Sequence, residues 1–206
     1  IALNLPCTEA IATEIIKVFA EIVLAPSYEP KALELLAQKK NLRVLELGPI
    51  TTKSPTHEYR HIEGGMLVQD MDILTIVEQN LKVVTTKKPT SEEMQTMLFG
   101  WKVLKHMKSN AILLAKNNTT VGVGVGQVSR VDAVDIAIKK AGQNIKGSIL
   151  ASDAFFPFRD SIDKIAGTGI TAIIQPGGSI KDEEVIAACN EHSIAMVFTG
   201  VRCFKH

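Results

Sequence analysis

The 206-residue sequence is poor in cysteine and in aromatic residues, and it has almost no net charge. Its three cysteines, Cys7, Cys189 and Cys203, are odd in number and far apart, which argues against a disulfide framework and fits a reducing compartment. Basic residues outnumber acidic ones by 23 to 22, so there is no strong positive field to attract nucleic acid or a membrane surface. No run approaches the ~18 apolar residues of a spanning helix. We therefore expect a globular, cytoplasmic protein without nucleic-acid or membrane partners.

The first part of the chain contains helix and strand patterns followed by a loop. Apolar residues recur at helical spacing over residues 8–23 and again over residues 30–36, where a proline opens the stretch. Residues 42–47 are typical of a buried strand. Residues 48–63 lack periodicity, which predicts a loop with a short strand over residues 59–62.

The second part alternates strands and helices. The clearest helix follows Thr90, because Glu93 three residues later completes a capping box. Asn117 and Asn118 form a turn-prone pair between two short apolar runs, which predicts a hairpin, and Ser129 is a candidate cap for the next helix. Further strands are predicted over residues 147–151, 171–174 and 195–198, and further helices after residue 160 and over residues 181–190. This order predicts an α/β fold with a mixed sheet covered by helices on both faces.

A glycine-rich strand leads into a serine and an arginine. Gly122, Gly124 and Gly126 alternate with other residues, and Ser129 and Arg130 follow at a helix start. Glycines admit a close neighbour, and the helix start offers N–H donors beside a guanidinium, which suits a planar or anionic ligand. The spacing fits neither the dinucleotide fingerprint nor a P-loop. On these residues alone, a glycine-bearing strand with an ordinary cap is the favoured interpretation.

Residues 152–160 place three phenylalanines around Pro157, bracketed by Asp153 and Asp160. The segment stands where a strand ends and a helix begins, which is the usual place for binding sites in α/β sheets. A flat ring system could dock there. A core plug of phenylalanines with a surface ion pair is an equally good interpretation of the composition.

Two further segments could line the same edge of the sheet. Residues 175–179 follow a strand and precede a helix, so their backbone N–H groups and Ser179 could face a ligand. An ordinary tight turn would look the same. Residues 202–206 end the chain with two cations and an imidazole, although a frayed, solvated tail is the favoured interpretation of these residues taken alone.

Taken together and in this order, these segments resemble the transformylase domain of the bifunctional purine-biosynthesis enzymes that couple aminoimidazole carboxamide ribonucleotide (AICAR) formyltransferase to inosinate cyclohydrolase. The similarity extends over essentially the whole chain and is carried by residues 109–112, 124–130, 152–163, 175–179 with 182–184, and 197–206. The resemblance implies cytidine-deaminase-like α/β lobes of three layers. Residues 1–80 would belong to the first lobe and its connection, and residues 81–206 to the second lobe.

The reaction implied by the resemblance is formyl transfer from 10-formyltetrahydrofolate to the 5-amino group of AICAR. In the matching positions, Asn110 and Arg130 would hold the carboxamide region of the ribonucleotide, and Phe155 would pack on its ring. Arg202 would meet the phosphate, and His206 would add a polar contact beside the carboxamide. These five residues are the predicted substrate-binding set.

On the folate side, the resemblance implies that Asp160 takes the hydrogen-bond donors of the pterin, with Pro157, Ser179 and Glu21 lining the same side. Some relatives hold a structural potassium, for which the candidate ligands here are backbone oxygens near Leu104 and Cys203, together with Asp153. Zinc is not expected, because the deaminase pattern of His-x-Glu followed by Pro-Cys-x-x-Cys is absent from the sequence.

The main departure from the family lies at the beginning. The catalytic Lys-His pair of the family belongs upstream of Ile1, so no catalytic residue is assigned within this chain, and the cyclohydrolase domain is missing as well. We expect a fragment, inactive alone, from an enzyme that works as a homodimer with shared active sites and needs its own N-terminal segment. A non-catalytic nucleotide- or folate-binding module remains the alternative, and a hydrolase of the related deaminase fold is disfavoured by the absent zinc ligands.

Overall fold

The computed structural model describes residues 1–50 and 57–205. The chain divides into two compact units, Ile1–Ile73 and Leu74–His206. In the described part of the chain, no helix is long and apolar enough to cross a membrane. The correspondence of these units to the lobes expected over residues 1–80 and 81–206 stays a prediction.

Two short helices cover the core of the first unit. Helix α1 (Glu9–Ile15) begins at Thr8, whose hydroxyl accepts a hydrogen bond from a backbone N–H of the first turn, and helix α2 (Pro30–Leu36) starts with its proline. The helix predicted over residues 8–23 is therefore wrong beyond its first half, whereas the helix predicted over residues 30–36 is confirmed.

A parallel strand pair lies beside these helices. Strand β1 (Ile22–Ala25) pairs in register with strand β2 (Arg43–Glu46). Val23 and Ala25 are fully buried, so they anchor β1 in the core. The strand predicted over residues 42–47 exists, but its burial was wrongly predicted, because β2 is half-buried at one position and exposed at the others.

An exposed hairpin follows. Strands β3 (His57–Ile62) and β4 (Gly65–Asp70) pair antiparallel, and every residue of both strands is exposed. The strand expected over residues 59–62 is thereby confirmed, and part of the loop expected over residues 48–63 falls on residues 51–56, outside the described residues.

The second unit is built on a six-stranded mixed sheet in the order β5, β10, β9, β8, β6, β7. The strands are β5 (Lys82–Val83), β6 (Ile112–Lys116), β7 (Thr119–Gly124), β8 (Ile149–Ser152), β9 (Ala172–Gln175) and β10 (Ala195–Phe198). Strands β8, β9 and β10 are parallel, while β6 runs antiparallel to both β7 and β8. Asn117 and Asn118 form the predicted turn of the β6–β7 hairpin, both with positive φ. The two-residue β5 was not predicted.

Four helices pack against this sheet, and two short 3₁₀ turns (Glu78–Asn80 and Gly142–Ile145) complete the unit. The helices are α3 (Ser91–Leu104), α4 (Arg130–Ala141), α5 (Asp160–Ile165) and α6 (Asp182–Glu191). The capping box of Thr90 and Glu93 and the Ser129 cap are both present. Buried side chains of α3 fill one face of the sheet, and those of α4, α5 and α6 fill the other. The predicted α/β fold with a helix-covered mixed sheet is confirmed.

Candidate functional site

One edge of the six-stranded sheet collects the segments that carry most of the predicted site residues. The parallel strands β8, β9 and β10 all end there. Because Ile112 at the start of β6 pairs with Gly124 and with Ser152, β6 begins and β7 ends at the same edge. The loops before β6 and after β7, β8, β9 and β10 therefore leave the sheet on one side, as in other α/β sites.

Asn110 and Arg130 are in direct contact at this edge. Arg130 Nη2 donates to Asn110 Oδ1 at 2.9 Å. The amide nitrogen of Asn110 donates in turn to the backbone carbonyls of Gln127 and Val128, at 3.0 and 3.1 Å, which occupies both of its N–H bonds. Its Oδ1 atom, with a second lone pair, is thus the part of Asn110 that could contact a ligand. The Ser109–Asn110 peptide bond is cis.

The Arg130 guanidinium is nearly buried, with 8% of the residue exposed. Its Nη1 atom donates to Asp153 Oδ1 at 2.6 Å and to Ser152 Oγ at 2.7 Å. Contacts with the described residues account for three of the five guanidinium N–H bonds, so two remain able to donate to a ligand. A fixed, planar donor of this kind suits a carbonyl or an anion.

The Asp153 carboxylate, which is fully buried, lies behind this pair. Besides Arg130, it accepts hydrogen bonds at Oδ2 from Ser109 Oγ (2.6 Å) and from the backbone N–H of Ala111 (3.0 Å). Its backbone carbonyl accepts the N–H of Cys203 at 3.0 Å. Every polar atom of the Asp153 side chain therefore has a protein donor.

Phe155 and Arg202 form a second contact pair. The Arg202 guanidinium carbon lies 5.1 Å from the centroid of the Phe155 ring, within the range of a cation–π interaction. Two backbone-linked hydrogen bonds tie Ser109 to Lys205, at 2.8 and 3.2 Å. For residues 202–205 the prediction of a frayed end is therefore wrong, because the segment is held beside the loop before β6, whereas Arg202, Phe204 and Lys205 are solvent-exposed as predicted.

The three phenylalanines of residues 152–160 have different environments. Phe156 is fully buried in the core, Phe155 is half-buried under Arg202, and Phe158 is 55% exposed. Both interpretations of this segment therefore hold in part, since one ring plugs the core and another stands at the candidate site.

Asp160 begins α5, and its carboxylate accepts the backbone N–H of Ser161 at 2.7 Å. It is exposed, and its carboxylate makes no hydrogen bond or ion pair to Arg130 among the described residues. Pro157 and Ser179 are half-buried in the loops after β8 and β9. These positions share the sheet edge with the two contact pairs.

A charged cluster that the sequence patterns did not single out lies next to Asp160. Arg159 donates to both carboxylate oxygens of Asp163, at 2.8 and 2.9 Å, and to Glu191 at 2.7 Å. His192 Nε2 lies 3.0 Å from Asp163 Oδ1. Hydrogen bonds from the Arg159 guanidinium, and to a smaller extent from His192, hold the pKa of Asp163 well below its ordinary value. Arg159 also lowers the pKa of Glu191. An arginine followed by an acid four residues later was the available signal.

The alternating glycines of β7 serve packing. A Cβ on Gly122 would lie 2.3 Å from the carbonyl oxygen of Ala137, and one on Gly124 would lie 2.0 Å from that of Ala133. Helix α4 thus sits directly on the strand, which agrees with the glycine-bearing-strand interpretation. Because α4 begins at Arg130, this close contact also sets the position of the guanidinium.

The contacts described above do not include Glu21, His206 or Leu104. Glu21 is exposed and belongs to the first unit, whereas the other described candidates belong to the second, and His206 lies outside the described residues. Leu104, Asp153 and Cys203 are all buried. Within residues 1–50 and 57–205, no group of three or more His, Cys, Asp or Glu side chains could hold a metal ion.

Sequence reasoning missed Ser109 and Ser152, the two hydroxyls that complete the contacts of Asp153 and Arg130. A serine next to a predicted site residue is too common to be a signal by itself. Their part in the site follows from pairing between β6 and β8, which brings both loops together.

Comparison with known proteins gives one consistent family. A family model described as AICARFT/IMPCHase bienzyme matches residues 1–140. The chain is 54% identical over 208 residues to the bifunctional purine biosynthesis protein PurH of Acetivibrio thermocellus, covering 100% of this chain and 40% of that protein. Identity to PurH of Anoxybacillus flavithermus is 52% over 206 residues, with the same coverage. Identity to PurH of Aquifex aeolicus is 54% over 198 residues, which is 95% of this chain and 38% of that protein. The chain thus spans about 40% of the length of the curated relatives it matches.

Proposed function

Because the chain belongs to the AICARFT/IMPCHase bienzyme family, we propose that it is the C-terminal part of a purine-biosynthesis enzyme and contributes the substrate-binding side of its formyltransferase site. The reaction is formyl transfer from 10-formyltetrahydrofolate to AICAR. The amine nitrogen attacks the formyl carbon, the bond from that carbon to N10 breaks, and one proton leaves the amine while one reaches N10. The products are the formylated ribonucleotide and tetrahydrofolate.

The observation that carries this proposal is the nearly buried Arg130 guanidinium, held against Asn110 Oδ1 at 2.9 Å with two N–H bonds left for a ligand. The 5-amino group of AICAR is a weak nucleophile, because its lone pair is delocalised into the ring and the carboxamide. A fixed donor on the carboxamide oxygen and an acceptor for its N–H, here Arg130 and Asn110 Oδ1, would orient the neighbouring amine toward the formyl group. Orientation is therefore the role we assign to this pair.

Phe155 and Arg202 complete the ribonucleotide side. The half-buried Phe155 ring offers a face for the imidazole, and the adjacent guanidinium of Arg202 offers a cation for the phosphate. His206 is proposed to contact the carboxamide region as well. The base that removes the amine proton is assigned to the Lys-His pair of the family, and binding and orientation of the ribonucleotide are the roles that we assign to the residues above.

On the folate side we propose Asp160 as the acceptor for the pterin donors, together with Pro157 and Ser179. Glu21, in the first unit, stays a separate folate-side proposal. An exposed carboxylate at the sheet edge suits the ring N–H groups of a pterin. A homodimer with shared sites and a cytoplasmic location are part of the same proposal.

Potassium near Leu104, Asp153 and Cys203 stays a prediction. The donors around Asp153, which are Arg130, Ser109 and the N–H of Ala111, already give each carboxylate oxygen a hydrogen-bond partner and supply a counter-charge. This arrangement holds the carboxylate without a cation, and no step of the proposed reaction depends on potassium.

The test uses the complete gene product with AICAR and 10-formyltetrahydrofolate, followed by the absorbance change of the folate. We expect turnover, and we expect Arg130→Ala to lower kcat/KM for AICAR by about 100-fold or more, the cost of losing a charged donor at the reacting substrate. Lys139→Ala, on the exposed last turn of the same helix, is the matched control and should leave kcat/KM unchanged. Binding of AICAR without turnover by the complete protein would instead support the binding-module alternative.

A further inference from the structure

We infer that Asp153 is a positioning residue for the pair Asn110 and Arg130, an inference that rests on the proposed function. The carboxylate is fully buried, so it does not reach a ligand itself. It acts through the two side chains in front of it.

The contacts of Asp153 surround Asn110 from both sides along the chain. Oδ2 accepts from Ser109 Oγ at 2.6 Å and from the backbone N–H of Ala111 at 3.0 Å, which are the residues immediately before and after Asn110. Oδ1 accepts from Arg130 Nη1 at 2.6 Å, and Arg130 Nη2 reaches Asn110 Oδ1 at 2.9 Å. One carboxylate thus fixes the backbone that carries the amide and the guanidinium that contacts it.

A negative charge is needed at this place. A guanidinium that is 8% exposed is costly unless a counter-charge accompanies it, and the other contacts of Arg130, Ser152 Oγ and Asn110 Oδ1, are neutral. Without the carboxylate, the charged end of Arg130 would gain by turning toward water. The two N–H bonds that we assign to the ligand would then lose their fixed position.

The backbone of Asp153 extends this role to the second pair. Its carbonyl accepts the N–H of Cys203 at 3.0 Å, next to Arg202, and Phe155 follows two residues after Asp153 in the same loop. Asp160 and Pro157, assigned to folate, are not among the residues that the Asp153 side chain hydrogen-bonds in the described part of the chain. Loss of the carboxylate should therefore affect the ribonucleotide and spare the folate.

The test compares Asp153→Asn with the wild type in the complete gene product. We expect KM for AICAR to rise by about 10- to 100-fold, the range for a hydrogen bond to a charged group, and KM for 10-formyltetrahydrofolate to stay within about 2-fold. We further expect Asp153→Asn to add nothing to Arg130→Ala, because the carboxylate acts through the guanidinium. Asp135→Asn, an exposed carboxylate on α4 paired with Lys164, is the control for the same chemical change.

Ser109→Ala gives a second route if Asp153→Asn does not fold, since it removes one donor to the carboxylate and leaves the charge pair in place. It should raise KM for AICAR by roughly 3-fold, again without effect in the Arg130→Ala background. Equal losses for both substrates, or full additivity with Arg130→Ala, would show that Asp153 supports the fold in general and would overturn the inference alone. A wild-type protein without any formyl transfer to AICAR would overturn the proposed function, and the inference with it.

Discussion

Replacing Gly124 by alanine tests whether the contact between β7 and α4 sets the stability of the second unit. The added Cβ would lie 2.0 Å from the carbonyl oxygen of Ala133, 2.8 Å from its carbonyl carbon and 2.9 Å from its Cα. Ordinary carbon contacts begin near 3.5 Å, so the strand and the helix would have to separate by roughly 1 Å or more. All three opposing atoms belong to the backbone, which cannot turn away as a side chain can.

Two effects of opposite sign decide the magnitude. Overpacking a tight contact costs up to about 3 kcal/mol, and a backbone obstacle places this site at the upper end. Replacing a glycine inside a strand recovers about 0.5–1 kcal/mol of chain entropy. The net loss in the free energy of unfolding should thus be about 2 kcal/mol, which corresponds to a fall in Tm of roughly 4–8 °C.

Urea unfolding followed by circular dichroism measures this loss, with Gly65→Ala as the control. Gly65 lies in a strand, and a Cβ there would meet nothing within 4 Å, so that variant should be as stable as the wild type or slightly more stable. If Gly124→Ala unfolds at the same urea concentration as the wild type, α4 does not rest on β7 as described. If Arg130, which begins α4, binds AICAR as proposed, the variant should also bind AICAR more weakly.

Two further predictions concern the charged cluster and the hairpin turn. Asp163→Asn should lower stability near neutral pH. The contact with Arg159 depresses the folded-state pKa of Asp163, so the stabilisation that Asp163 provides is present above the ordinary aspartate pKa of about 3.9 and is lost as the pH falls below it. The Tm values of the two proteins, measured at a series of pH values, should therefore converge in acid. A difference in Tm that persists in acid would contradict the assignment. Asn118→Ala should destabilise the unit by about 1 kcal/mol, because φ is +54° and alanine tolerates the left-handed region poorly. Urea unfolding measures this, and Asn118→Gly should be at least as stable as the wild type.

The elements that sequence patterns predicted correctly are those fixed by neighbours along the chain. The Thr90 and Glu93 capping box satisfies N–H groups within one turn, and the Asn117–Asn118 turn needs two residues that accept positive φ. In both cases the residues that decide the conformation lie within three positions of each other. Tertiary contacts then agree with the local preference.

The helix predicted over residues 8–23 failed because a distant partner decides its second half. Its helical spacing continues to Ile22, yet residues 22–25 form β1, paired with residues 43–46. The parallel pairing buries Val23 and Ala25 completely, a gain that a longer α1 would forgo. Periodicity alone cannot weigh that pairing, because it depends on a strand about 20 residues later.

The candidate site also depends on pairing between residues that are distant in the sequence. Residues such as Asn110 and Arg130 were found as single positions by family resemblance, but the carboxylate that joins them lies 42 residues after Ala111 and 23 after Arg130. From the sequence, Asp153 was one end of a phenylalanine-rich segment. No residue near it in the chain indicates that its partner is a buried guanidinium. The pairing of Ile112 with both Gly124 and Ser152 is what places the three loops together. A charge that is costly to bury can be retained at such a place only if the sheet supplies its partner, so the strand order that determines the fold also determines where this site can form.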